Sequence, residues 1–416
     1  MNSAETSSSR AAYDALEPGP LRDELYPEEA AARRAEQEQQ AQEHTARLAQ
    51  ETSEPLVFTG QGAEYFRIWI VNLALTVATL GIYSAWAKVR KTQYFWQNTQ
   101  FHGHRFNYHG SPLAILRGRI IAVVLLLAYS WSFDISTTAA VIAVSVLCLV
   151  APWLFLRAQE FKLRNTSYRG LRFGFDARAP RTYPLLFVLA LLWFSATLAG
   201  LLLAQTSWVV ALSLAPLLLF PWMHHSVKRL QHSRSSYGTL QTSFTNCRGA
   251  FYSTYALTAV AFVFAIAASI TVAVLLALPV SAAAQAIGME MDTQTAVITG
   301  SAFGGALAYI MVFPLAAARI QRSVWTNTTL GPLWFHTDIG AGPYFKLVLK
   351  CALWTLLTLG LYWPFASVRL ARYRVECLHV KAHLHTFPDL FSSVQSSQRT
   401  VRGDAAIDLF GVDVGL

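Results

Sequence analysis

The chain has 416 residues, of which 54% are apolar and only 14% charged, with a mean hydropathy of +0.34. A soluble domain carries about 25% charged residues, so this composition excludes an ordinary water-soluble enzyme. Charge is split: residues 1–54 hold five arginines and no lysine against twelve carboxylates, a net of −7, and the overall +9 therefore leaves +16 for the remainder.

The acidic segment 1–54 contains no apolar run of signal-peptide type. Insertion is expected to rely on internal segments. Between Pro27 and Glu51 it is rich in helix formers but has hardly any apolar stripe, which predicts a solvated helix or disorder on the cytoplasmic side. Eight apolar blocks follow, near 67–87, 115–133, 138–156, 183–204, 207–223, 254–280, 295–318 and 345–367. Each is long enough to be helical in lipid, where every backbone polar group needs an internal partner. The connections 134–137, 204–207 and 281–294 carry no Lys or Arg, whereas the others are basic. By the positive-inside rule, blocks two to seven cross the bilayer as three hairpins.

The first and last blocks break this alternation, since the last is preceded by Arg319, Arg322, Lys346 and Lys350 yet followed by Arg369, Arg372, Arg374 and Lys381, and both ends are expected in the cytoplasm. The two blocks are also a duplication: Tyr65–Tyr94 aligns with Tyr344–Tyr373 at a constant offset of 279, sharing Thr-Leu-Gly-(Ile/Leu)-Tyr at 79–83 and 358–362. One expectation is that each block enters the membrane and returns, bending at Thr-Leu-Gly. The other is a plain spanning or interfacial helix.

A shorter repeat runs through the chain. Ala85, Pro152, Pro221, Pro314 and Pro364 each stand near a block's end, and thirteen residues on lie Asn98, Asn165, Arg234, Asn327 and Cys377. The segments Asn98–Phe106, Asn165–Phe173 and Asn327–Phe335, with a fainter copy at Arg234–Thr242 and a degenerate one at Cys377–His385, predict small β-hairpins with Gly103, Gly170 and Pro332 at their turns. Several such hairpins could pair into a juxtamembrane sheet, since one alone is marginal. The expected fold is an all-α integral membrane protein: a polytopic helical bundle of six spans plus two duplicated apolar segments, with short cytoplasmic β-hairpins. Its divisions are an acidic tail at 1–54, a membrane domain at 55–390 and a C-terminal tail at 391–416.

The stretch FTGQGAEYFRIWIVNLALTVATLGIYSAWAKVRKTQYFWQNTQFHGHRF, Phe58 to Phe106, resembles the YjgN family of bacterial inner-membrane proteins, a domain of unknown function. The likeness covers about 56–390. It implies a bacterial inner-membrane location and brings no reaction, ligand or active-site residue.

Within the duplicated pair, Asn72, Thr76, Thr79, Gly81, Thr358 and Gly360 are the expected lining of a transport site, because interrupted helices in equivalent repeats free backbone ends to meet a solute. Arg90, Arg157, Arg319 and Arg369 share one repeat position just past the membrane block, which suits contact with anionic lipid headgroups; the third copy has Ser226 there. Histidines cluster at His102, His104 and His109 and, with Cys377, at His379, His383 and His385; zinc or copper could use them. However, the copies between place Leu171, Leu240 and Leu333 where His104 and His383 stand, so packing or surface roles are expected instead, as for His224 and His225. Gly60-x-Gly62 and Gly340-x-Gly342 lack the lysine of a phosphate loop and read as turns. Cys148, Cys247, Cys351 and Cys377 show no disulfide or paired-Cys metal spacing.

No Asp or Glu lies within the central blocks, which weighs against proton-coupled carriage. No hydrolase or nucleotide-binding motif is present, so neither an enzyme nor a cofactor is expected. The basic charge follows membrane topology rather than nucleic acid. The reading is therefore an inner-membrane protein acting as a channel or carrier for a small solute or lipid. The alternative is a non-catalytic scaffold. The bilayer and its anionic headgroups are the expected partners; no protein partner is identifiable, and a homo-oligomer is compatible with the sequence.

Overall fold

A computed structural model describes residues 27, 31, 32, 34, 35, 38, 39, 51–176, 182–202, 206–288 and 292–383. Most of the expected tail and all of 391–416 lie outside the described residues. The chain divides into two units, of which the larger contains Glu54–Lys381 and is described below.

Among the described residues of the large unit, ten helices occur in consecutive pairs separated by short strands. The helices are α1 (Gly62–Ala78), α2 (Ser84–Gln97), α3 (Pro112–Ile135), α4 (Thr137–Arg164), α5 (Thr182–Leu202), α6 (Thr206–Ser233), α7 (Arg248–Ala286), α8 (Thr293–Thr326), α9 (Ala341–Leu357) and α10 (Trp363–Glu376). Among the described residues, α3, α4, α5, α7 and α8 are long and apolar enough to cross a membrane. Helix α6, 28 residues long with Pro216 and Pro221 inside it, covers the fifth apolar block, 207–223. The two duplicated blocks are broken where Thr-Leu-Gly occurs, between α1 and α2 and between α9 and α10.

The strands are β1 (Glu51–Pro55), β2 (Val57–Phe58), β3 (Thr99–Phe101), β4 (His104–Tyr108), β5 (Thr166–Tyr168), β6 (Leu171–Phe175), β7 (Ser235–Tyr237), β8 (Leu240–Phe244), β9 (Thr328–Leu330), β10 (Leu333–Thr337) and β11 (Leu378–His383). They form one sheet in the order β1-β11-β10-β9-β8-β7-β6-β5-β4-β3-β2. Only Leu56 separates β1 from β2, so the two ends of that order are one continuous strand and the sheet closes on itself as a ring of ten. Leu56 donates its N–H to the Leu378 carbonyl (3.0 Å) on one side, and Thr59 donates to Asn98 (2.9 Å) on the other.

This closure gives the repeat its fifth member. Thr59→Asn98, His109→Asn165, Asp176→Arg234, Thr245→Asn327 and Asp338→Cys377 are the same backbone bond made five times, at 2.8 to 3.0 Å. Strand 51–58 therefore supplies the second half of the hairpin that β11 begins. Helix α10 packs on β2 as α2, α4, α6 and α8 pack on β4, β6, β8 and β10.

The hairpin sequence explains itself locally. Asn98, Asn165 and Asn327 each donate a side-chain N–H to the carbonyl four residues back, at 2.7 to 2.8 Å, which ends the helix. The next residue, Thr99, Thr166, Ser235 or Thr328, does the same with its hydroxyl and starts the strand. Ala85, Pro152, Pro221, Pro314 and Pro364 are all buried.

The two sheet faces differ. On one, Phe58, Tyr108 and Phe175 are buried against helices, and Phe106 and Phe335 meet Trp96 and Trp325 at ring-centroid distances of 5.5 and 5.2 Å. The other carries Gln100, Ser167, Ser236, Thr329 and His379, one per copy at the same register. Ten tilted strands about 4.8 Å apart make a ring about 20 Å across. Five helices, each about 10 Å in diameter, could not fit inside it. The helices therefore stand outside, and the polar face lines the lumen. Substantial helix–helix contacts follow the same cycle: each helix packs on its two chain neighbours, and α10 on α1.

Candidate functional site

Hairpins α1–α2 and α9–α10 are adjacent in the ring and nearly identical. Thr79 and Thr358 end the first helix of each pair. Leu80 (φ 50°) and Gly81 (φ 93°), with their counterparts Leu359 (φ 49°) and Gly360 (φ 93°), then turn the chain through left-handed conformations. Gly81 donates to the Thr76 carbonyl (2.8 Å) and Leu80 to that of Val77 (3.1 Å), the paired bonds of a Schellman ending. The Thr79 hydroxyl donates to Leu75 (2.8 Å) and accepts from the Tyr83 N–H (2.9 Å); Thr358 does likewise with Trp354 and Tyr362. These threonines thus hold the bend. The Thr76 hydroxyl is also spent, on the Asn72 carbonyl at 2.6 Å.

Asn72 is different. It is 6% exposed, and its Oδ1 has no hydrogen-bond partner, nor has the buried Tyr83 hydroxyl. In the sister hairpin Cys351 takes the place of Asn72 and is equally buried. The bend itself is open: Leu80 and Leu359 are 95% and 94% exposed, with Ile82, Leu361 and Trp363 exposed beside them.

The bases of the two hairpins interlock. Phe66 stacks on Phe365 at 5.7 Å, Arg372 donates to the Gly60 carbonyl (2.8 Å), and a Cβ on Gly62 would stand 2.5 Å from the Phe365 ring. Gly62, the first residue of α1, is therefore required for this close approach. The Tyr94 hydroxyl joins this base by donating to the Gln61 carbonyl (2.7 Å); burial pushes its pKa up to about 12.

Arg90, Arg157, Arg319 and Arg369 are all exposed. The guanidinium of Arg90 lies over the Tyr83 ring and that of Arg369 over Tyr362, at 5.7 and 5.6 Å; Arg157 lies over Trp153 at 5.9 Å and also pairs with Glu160 at 3.0 Å. A cation over an aromatic face keeps its charge available to a second, anionic partner. Next to this sector, Arg119 of α3 donates to the Ser84 hydroxyl.

The histidines are dispersed. His104 is exposed on β4, and His109 bonds Ser167 at 2.8 Å. His379 and His336 meet the two oxygens of Asp338, each at 3.1 Å, a contact that sequence reasoning missed because β10 and β11 bring it together. His385 lies outside the described residues. Among those described, no group of three His, Cys, Asp or Glu is arranged to hold a metal. His224 bonds the Tyr255 hydroxyl at 2.7 Å, whereas His225, 1% exposed, has neither ring nitrogen partnered. The four cysteines are free thiols.

A family model described as a bacterial protein of unknown function (DUF898) matches residues 53–409. Proteins named inner membrane protein YjgN are similar to this chain. The one from Salmonella typhimurium is 28% identical over 138 residues, covering 33% of this chain and 35% of its own length. That from Escherichia coli O157:H7 is 30% identical over 149 residues, covering 34% and 35%, and that from Escherichia coli strain K12 is 32% identical over 130 residues, covering 30% and 31%. The chain thus spans about a third of the length of the curated relatives it matches. No solved structure matches.

Proposed function

This chain belongs to the DUF898 family and is a multi-pass protein of the inner membrane, and from that premise we propose that it conducts or carries lipid between the leaflets. The observation that carries this reading is the adjacency of the two short hairpins. The repeated arginine serves as a depth ruler. From Arg157 back to the start of α4, and from Ser226 back to the start of α6, is about 20 residues, or about 30 Å, a full hydrocarbon core. From Arg319 back to the start of α8 is about 39 Å. From Arg90 to Ile82 is only about 12 Å, which stays within one leaflet, and Arg369 to Leu361 repeats it.

The proposed topology is therefore six spans and two half-depth hairpins, with the basic β-ring in the cytoplasm. In that topology the helical wall lacks two neighbouring hairpins in the distal leaflet. The walls beside the gap are apolar, so lipid rather than water fills it. Arg90 and Arg369 flank the gap at headgroup level, and Asn72, with its unpartnered oxygen, stands within the half-depth sector. A solute channel would need a polar lining that the spans do not supply.

The test is transbilayer movement of a fluorescent phospholipid in vesicles containing the purified protein. Translocation well above protein-free vesicles, reduced by Arg90→Glu with Arg369→Glu, is the expected result. A rate equal to that of protein-free vesicles would overturn the reading and leave the scaffold role in its place.

A further inference from the structure

The lumen of the β-ring has a chemistry of its own. At the first register position it presents Gln100, Ser167, Ser236, Thr329 and His379; at the next, Arg105, Arg172, Gln241 and Trp334, with Lys381 opposite Trp334. A third layer adds Asn107, Gly174, Ser243 and His336, together with the apolar, exposed Val57 of the strand that closes the ring. None of these layers contains a carboxylate. Arg105 and Arg172 are exposed, and neither they nor Lys381 has an ion-pair partner among the described residues. The carboxylates at the ring's membrane end are engaged: Asp176 with Arg234 at 3.5 Å, and Asp338 with His336 and His379.

Eight-stranded barrels are just wide enough for their own side chains, and a ring of ten strands is wider by about a quarter. Uncompensated cations around a narrow aqueous passage focus a positive potential along it. We infer that the β-ring is an anion-selecting portal, admitting small anionic solutes or phosphate groups to the base of the helical ring. It depends on the closed ring and not on what the helices carry.

The full-length protein in detergent, with its native cysteines replaced, tests this by thiol labelling at Gln100→Cys and Gln241→Cys in the lumen and His102→Cys at a hairpin turn. Small thiosulfonates of opposite charge and a 5-kDa polyethylene-glycol maleimide are the probes. At both luminal sites the anionic reagent should react roughly 5-fold or more faster than the cationic one, relative to a free thiol. Arg105→Glu with Arg172→Glu should reverse that order. The bulky maleimide should label the turn and not Gln100→Cys. Equal rates, or faster reaction with the cationic reagent, would overturn the anion preference. Bulky labelling at Gln100→Cys as fast as at the turn would put the polar face outside, and no labelling by either small reagent would mean a closed plug. Should the glutamate pair fail to fold, the rate ratio in the unsubstituted ring still decides. Labelling needs no flux, so its failure is distinct from failure of lipid movement.

Discussion

Phe58→Ala is the sharpest test of ring closure. Phe58 is 3% exposed, stacks on Phe95 at 6.0 Å, and shares a cluster with Tyr65, Tyr94 and Val368. Removing a buried phenylalanine costs about 3–5 kcal/mol. The strand it anchors is joined to α1 on one side only, so the loss should fall on local opening of 54–59 rather than on the whole ring. At about 1.4 kcal/mol per decade, the opening equilibrium should rise by about two to nearly four decades. Amide hydrogen exchange in detergent reads this directly: the Leu56 and Thr59 amides should lose that much protection, while the equivalent amides of His109 and Asp176 keep theirs. Equal loss at all four positions would refute local closure, and unchanged exchange at Leu56 and Thr59 would show that Phe58 does not hold the strand.

Gly81→Val puts a β-branched side chain at φ 93°, where space is open but the backbone is strained, and should lower thermal stability by about 1–2 kcal/mol; an unchanged melting temperature would contradict the turn geometry. His225→Leu replaces an unpartnered buried imidazole with the kind of residue its siblings Val89, Leu156, Ala318 and Val368 carry, and should raise stability by about 1–2 kcal/mol; a lower melting temperature would reveal an undetected partner. His232 lies below the membrane-level segment, where burial first, then Lys228 and Lys162, lowers its pKa to about 4. A pKa depressed by folding from 6.5 means that the unfolded chain binds more protons. Stability is then full above about pH 6.5 and falls by up to about 3 kcal/mol as pH drops toward 4. Melting curves between pH 4 and 7.5 should show this slope, and His232→Gln should flatten it. Impermeant labelling of cysteines at the exposed Thr59 and His102 should occur only in opened cells, and labelling of intact cells would reverse the proposed orientation.

Much of the fold is legible in the sequence because its signals are local. Asn-Thr at a helix end and a constant spacing from the marker specify three hairpins and, more faintly, a fourth at Arg234–Thr242, and Thr-Leu-Gly marks both helix breaks. The ring closure is hidden for a physical reason. Glu51-Thr-Ser-Glu-Pro55 has no apolar alternation and reads largely as part of the tail ending at 54, yet it forms β1 because Leu378–His383 offers an unpaired edge more than 320 residues away. The site is only partly legible for the same reason. Thr79 and Thr358 are polar residues in an apolar block, which suggests lining, but their hydroxyls complete the bend. Asp338 has no signal at all until two strands bring His336 and His379 to it.

The clasp made by residues 51–58 also sets a clock. A ribosome adding about 5–20 residues each second needs about 16 to 64 s between Leu56 and Leu378. Throughout that interval the edge of β3 that β2 covers can be satisfied at once, while β1 waits for β11 with its backbone unpaired. An unpaired edge invites a strand from another chain. The last residues of the repeat to leave the ribosome therefore decide whether each nascent protein closes upon itself or pairs with a neighbour.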